Sequence, residues 1–365
     1  MQMPLTLHGQ SQNSQAMQHQ RKKYSYSTRS YCLSIPLAAL LSVFILAACT
    51  SDNGNRTFHS SADAAKAYHD YLSDVKQKDN LSIEELSEEL NRWRSLSDSV
   101  LTCLRRDTVY KPHANYAGYC RLVHDSIRGE MIRIALSEPR TLRDVIYLKE
   151  HTSPYANNEE LLEMAKPIQT FFASPDSMPV YPGDKNKVLY SYQQFLSTTL
   201  ENGIQSRDDM LAFFREEDRY FRTFLSHLHE LGSSDMTGIT KDTERCCLAV
   251  FQSKDIPKEE ATLYMTLRTS RRLLQNAVTC MDDIQEGKVS RNDDQAQAYV
   301  WMLLQPYSSI DALGIALLSD TDKATLYRLA VETPKAIGQL CGIADEDDCL
   351  EALPELLIKI LIIAL

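Results

Sequence analysis

From about residue 61 onward, apolar positions recur at three- and four-residue steps, and no convincing run of alternating strand-type residues breaks the pattern. This is the periodicity of helices that each bury one face. Ser82-Ile83-Glu84-Glu85 forms a capping box, and behind it Ile83, Leu86, Leu90, Trp93, Val100 and Leu104 lie on one stripe. Further helices are expected at 118–137, 141–150, 158–173, 187–200, 206–231, 240–252, 258–286, 290–304, 308–318, 321–341 and 345–365. The pattern predicts an all-α fold: an irregular multi-helix bundle or array of about ten to twelve helices with no regular repeat. Thr262-Leu263-Tyr264 and Thr325-Leu326-Tyr327 echo one another, but the likeness extends no further.

Residues 174–183 contain Pro175, Pro179 and Pro182. This segment is either a linker between an N-terminal helical region, 61–173, and a C-terminal one, 184–365, or a long loop in one continuous array. The last segment, Leu356–Leu365, is apolar apart from Lys359. Ten residues rise only about 15 Å as a helix, half a hydrocarbon core. The tail is therefore expected inside the protein core, against the apolar stretch Tyr299–Leu318.

Composition narrows the class. Of 365 residues, 43% are hydrophobic and 24% charged, and Gly (12) and Pro (13) are scarce. These values exclude a collagen-like or wholly disordered chain. The net charge of −10 lacks the basic footprint of a nucleic-acid binder. Charge is nevertheless unevenly placed. Arg21, Lys22, Lys23 and Arg29 precede the apolar run Leu33–Ala48, and no acidic residue occurs before Asp52. A basic region, a short apolar stretch and small residues at its exit mark a secretory signal peptide.

The end of that run, Leu46-Ala47-Ala48-Cys49, resembles the lipobox of bacterial lipoproteins. The resemblance implies that residues 1–48 are a signal peptide and that Cys49 becomes the acylated first residue of the mature chain. Residues 49–60 then form a polar tether. The leader is long for its class, and translation from Met17 would shorten it. Removing residues 1–48 takes away four basic residues and no acidic one, so the mature charge is −14. Attachment would rest on the acyl chains rather than on electrostatics. In enterobacterial lipoproteins Asp after the lipidated Cys retains the protein in the inner membrane. Thr50 here implies the outer membrane, with the periplasmic or surface-facing side left open.

The chain has no HExxH, GxSxG, Walker A, GxGxxG or CxxC motif, and no cofactor is expected. Ser73-Asp74-Val75-Lys76 matches SxxK, but its companion motifs are missing. His227-Leu228-His229-Glu230 could put His227 and Glu230 on one metal, although two histidines at a helix end explain it as well. The acidic doublets read mainly as first-turn carboxylates: Asp209, Asp293, Asp311 and Asp348 each follow a capping residue by three positions. Glu217 is the exception. It falls amid the stripe formed by Met210, Phe213, Phe214, Phe221 and Phe224. Its pKa should rise there, as for a general acid, unless a cation from another helix pairs with it. Glu217 is thus the one candidate for catalysis.

Beyond Cys49 the mature chain has Cys103, Cys120, Cys246, Cys247, Cys280, Cys341 and Cys349. In an oxidising compartment Cys103 with Cys120, and Cys341 with Cys349, are placed to pair across helix hairpins, unless they are buried core thiols. Asp107-Thr108-Val109 and Asp176-Ser177-Met178 resemble short O-glycosylation sequons of gut anaerobes. Taken together, the sequence points to a lipid-anchored envelope protein with a protein or glycan partner. A non-enzymatic binding or assembly module stands first. A helical envelope hydrolase or a glycan-binding lipoprotein is the alternative.

Overall fold

The computed structural model describes residues 57–106, 113–155, 158–173, 183–290 and 295–341. The expected signal peptide, Cys49, both sequon-like triplets, Cys349 and the apolar tail lie outside them. Among the described residues there are twelve α-helices and no strand, so the fold is all-α, as the periodicity predicts. None of the described helices is long and apolar enough to cross a membrane.

The helices α1 (Ser61–Val75), α2 (Ile83–Arg106) and α3 (His113–Ala135) pack on one another. Ser60 caps α1, and its buried Ala64, Tyr68, Tyr71 and Val75 form the inward stripe. The box before α2 is present: Ser82 N–H donates to Glu85, and Glu85 N–H to Ser82 Oγ. Leu86, Leu90, Trp93 and Val100 are buried, as the stripe predicts. Between the three helices Tyr68 donates its hydroxyl proton to Ser97 Oγ (2.7 Å), with His124 Nδ1 2.9 Å away, and His124 lies against the Trp93 ring.

The chain continues through α4 (Leu142–His151), α5 (Glu159–Ala173), α6 (Lys185–Asn202), α7 (Arg207–Leu225), α8 (Ser233–Gln252), α9 (Lys258–Gln285), α10 (Ala296–Ser309), α11 (Ala312–Leu317) and α12 (Asp320–Cys341). The 28-residue α9 is the axis, touching α5, α8, α10, α11 and α12. α4 and α5, before residue 174, pack on helices that follow residue 183. Lys149 Nζ donates to the carbonyls of Tyr307 (2.6 Å) and Ile310 (2.5 Å), and Gln169 to that of Leu317 (2.8 Å). Lys323 Nζ and the Tyr327 hydroxyl both reach the Glu150 carboxylate. These contacts favour a loop in a continuous array over a linker between independent bodies.

Several boundaries differ from the periodic reading, each for a local reason. The helix expected to reach Leu231 stops at Leu225, and a 3-10 turn, Leu228–Glu230, follows. α8 begins at Ser233 rather than Thr240, because Asp235 accepts from Gly232 N–H and secures an earlier start. α10 runs through Pro306 to Ser309, since Pro306 and Tyr307 are buried and Lys149 holds its last carbonyls. Asp311 is consequently the N-cap of α11, accepting from Gly314 N–H (2.7 Å), rather than a first-turn residue behind Ser308.

Candidate functional site

Glu217 sits where three helices meet. The capping box of Ser206 and Asp209 fixes the start of α7 and so sets the direction of every later side chain. Met210, Phe213, Phe214, Phe221 and Phe224 are buried with Glu217, which is 0% exposed. α9 supplies two cations one turn apart. Arg268 donates through Nε to Glu217 Oε2 (3.1 Å) and through Nη2 to Oε1 (2.8 Å). Arg272 pairs with Oε2 and also donates to the Glu217 backbone carbonyl. α6 supplies the buried Tyr192, whose hydroxyl donates to Oε1 at 2.6 Å. Aromatic rings close the shell: the Arg272 guanidinium lies 3.8 Å from the Phe221 ring centre, and Tyr192 stacks on Tyr220.

Two physical effects compete at this carboxylate. Burial disfavours the charge, whereas Arg268 and Arg272, with the hydrogen bonds from Arg268 and Tyr192, favour it. The second effect prevails and holds the Glu217 carboxyl below its ordinary pKa. The cation condition stated for this residue is therefore met, and the rise expected of a general acid does not occur. Both oxygens are occupied, and the ionised side chain ties α6, α7 and α9 together. Burial pushes the Tyr192 hydroxyl pKa well up, and Glu217 adds to the rise.

Beside this cluster, a cleft of about 390 Å³ opens between the C-terminal turn of α7, the middle of α9 and the first turns of α12. Arg222, Ser226, Leu274, Gln275, Val278 and Asp322 line it, and Glu217 does not. Gln275 Oε1 is buried there without a partner. Arg222 pairs with Asp218 at 3.1 Å, and Asp322 lies 3.6 Å from Arg271, so neither charge enters the cleft uncompensated.

The remaining candidates separate. His227 precedes the 3-10 turn that holds His229 and Glu230, and Glu230 Oε1 is 3.5 Å from His227 Nδ1 and from His229 Nε2. Among the described residues no group of three His, Cys, Asp or Glu side chains is arranged to hold a metal ion. Ser73 is exposed and donates to the His69 carbonyl of its own helix, and Lys76 is exposed beside it. Cys103 on α2 and Cys120 on α3 are buried and are not joined by a disulfide. Burial raises the Cys120 pKa, and neighbouring Cys103 raises it further. Cys341 ends α12, and its expected partner Cys349 is outside the described residues.

Sequence reasoning found Glu217 but not its partners. Their signal was present: Arg268 and Arg272 stand four residues apart on α9, and Arg268 follows the buried Ala261 and Tyr264 at helical steps. Lys149, buried at the α10 terminus, carried no signal in its own helix. No protein family, curated protein or solved structure matches the chain.

Proposed function

We propose that the chain is a lipid-anchored protein of the bacterial envelope, held at the outer membrane through Cys49. Its helical body serves as a non-enzymatic binding or assembly module for a protein or glycan partner. The observation that carries this reading is the order of parts: a basic leader, an apolar run ending Leu46-Ala47-Ala48-Cys49, a polar stretch, and a helical body beginning at Ser61. Glu217 gives an enzymatic reading no support, because its carboxylate is enclosed and fully engaged with Arg268, Arg272 and Tyr192.

Crosslinking in the native envelope, followed by capture of the protein, tests the reading. The unsubstituted protein should fractionate with membranes and yield a discrete crosslinked partner. Cys49→Ser should be soluble and lose that partner. An unsubstituted protein that is already soluble contradicts the anchor. A purified body that hydrolyses an envelope glycan contradicts the non-enzymatic part.

A further inference from the structure

We propose that the tip at the start of α3 is the face that the anchored protein turns to the bilayer, with Tyr116, Tyr119 and Leu122 seated in the headgroup layer. This rests on the lipid anchor at Cys49 proposed above.

The argument begins with exposure. Tyr116 is 38% exposed, Tyr119 41% and Leu122 68%. Tyr116, Tyr119 and Leu122 follow one another at three-residue steps on α3, which makes them neighbours on the helix surface. α2 and α3 lie side by side: Trp93 packs on His124 with ring centres 4.9 Å apart, and Cys103 and Cys120 influence each other. An exposed group of large apolar side chains is a marker of an interaction surface.

The tether identifies the occupant. The Phe58 carbonyl lies 4.0 Å from Cys103 Sγ, so the chain enters the body at this tip. Phe58 lies nine residue steps beyond Cys49, and nine steps span at most about 32 Å when fully extended. An acyl group on Cys49 therefore keeps the tip within a short chain length of the bilayer surface. The chemistry suits that surface. Tyrosine has an apolar ring and a polar hydroxyl, the pairing found at headgroup depth. Arg105 and Arg106 close the last turn of α2 and bring positive charge to the level of the lipid phosphates. The strongly acidic mature chain gains nothing from long-range attraction to anionic lipid. The contact is therefore short-range, and the acyl chains supply the affinity.

The test uses lipidated full-length protein, purified from envelopes and reconstituted in phosphatidylethanolamine–phosphatidylglycerol vesicles. Leu122→Cys, or Val331→Cys on α12, carries an environment-sensitive nitrobenzoxadiazole label. Val331 is 61% exposed on a helix that packs on α4, α9 and α10. The native thiols at 103, 120, 246, 247 and 280 are buried, and unsubstituted protein serves as the labelling blank. At position 122 the expected result is a blue-shifted emission that is lost when a quencher is placed on the lipids. At position 331 neither change is expected. Vesicle-bound protein whose label at 122 behaves like that at 331 overturns the membrane face while leaving the anchor intact. Protein that does not float with vesicles overturns the anchor, and the face with it. A blue shift at 122 that persists without lipid, and grows with protein concentration, assigns the tip to a second copy and overturns the proposal.

Discussion

At the residue scale, the charges that matter most are the ones withdrawn from water. Glu217→Gln leaves Arg268 and Arg272 buried with a weakened partner. Breaking a buried ion pair from one side costs about 3–5 kcal/mol, a loss that urea unfolding at neutral pH would register directly. Replacing Glu217 and Arg268 together by Leu and Met should cost less than the two single changes combined. The pH dependence has a definite sign. A carboxyl with a depressed folded pKa contributes stability above its unfolded pKa, near 4.5, and loses it as pH falls through the folded value. Glu217→Gln should therefore flatten the acid limb of the stability profile.

Lys149 makes the opposite case. Burial lowers its pKa to about 8, and Asp311 opposes the shift only in part. Between about 8 and its ordinary 10.5, the unfolded chain binds the extra proton, so stability rises with pH across that window. Lys149→Met should remove this slope. It should also weaken folding, since the carbonyls of Tyr307 and Ile310 lose their donor. Urea titrations of both proteins at pH 8 and pH 10 separate the two effects.

At the scale of the element, the readable features were those contained within a few neighbouring residues. The box at Ser82 and Glu85, the one at Ser206 and Asp209, and the stripe from Leu86 to Val100 need no distant partner, and they were legible. What depended on another helix was not. The end of α10 is set by Lys149, 158 residues away from Tyr307 along the chain, so a local reading stopped that helix at Leu304. Glu217 could be recognised as anomalous, but whether it was an acid or an ion-pair anchor turned on α9. Gly314 illustrates the same dependence. A Cβ there would collide with Ser270 Oγ of α9 and sit 3.0 Å from Ile310 Cγ2. Gly314→Ala should cost about 1–3 kcal/mol by overpacking, and adding Ser270→Ala should recover part of the loss. A thermal melt of the single and double variants checks the coupling. Ser206→Ala removes only a cap and should cost about 1 kcal/mol.

Across the whole molecule, α9 is the organising element. It carries Arg268 and Arg272 to Glu217, receives α10, α11 and α12, and forms the middle of the cleft wall. Helices from before and after the proline-rich segment meet around it, which an along-chain reading could leave only as one of two alternatives. The proposed N-terminal leader is the reverse case: its reading rests on composition and on four residues and calls on no fold. The most direct measurement is the mass of the N-terminal peptide from membrane-extracted protein. The peptide should begin at Cys49 and carry the added mass of acyl groups on that residue. A peptide in which Ala48 is still joined to an unmodified Cys49, recovered from the soluble fraction, would contradict it.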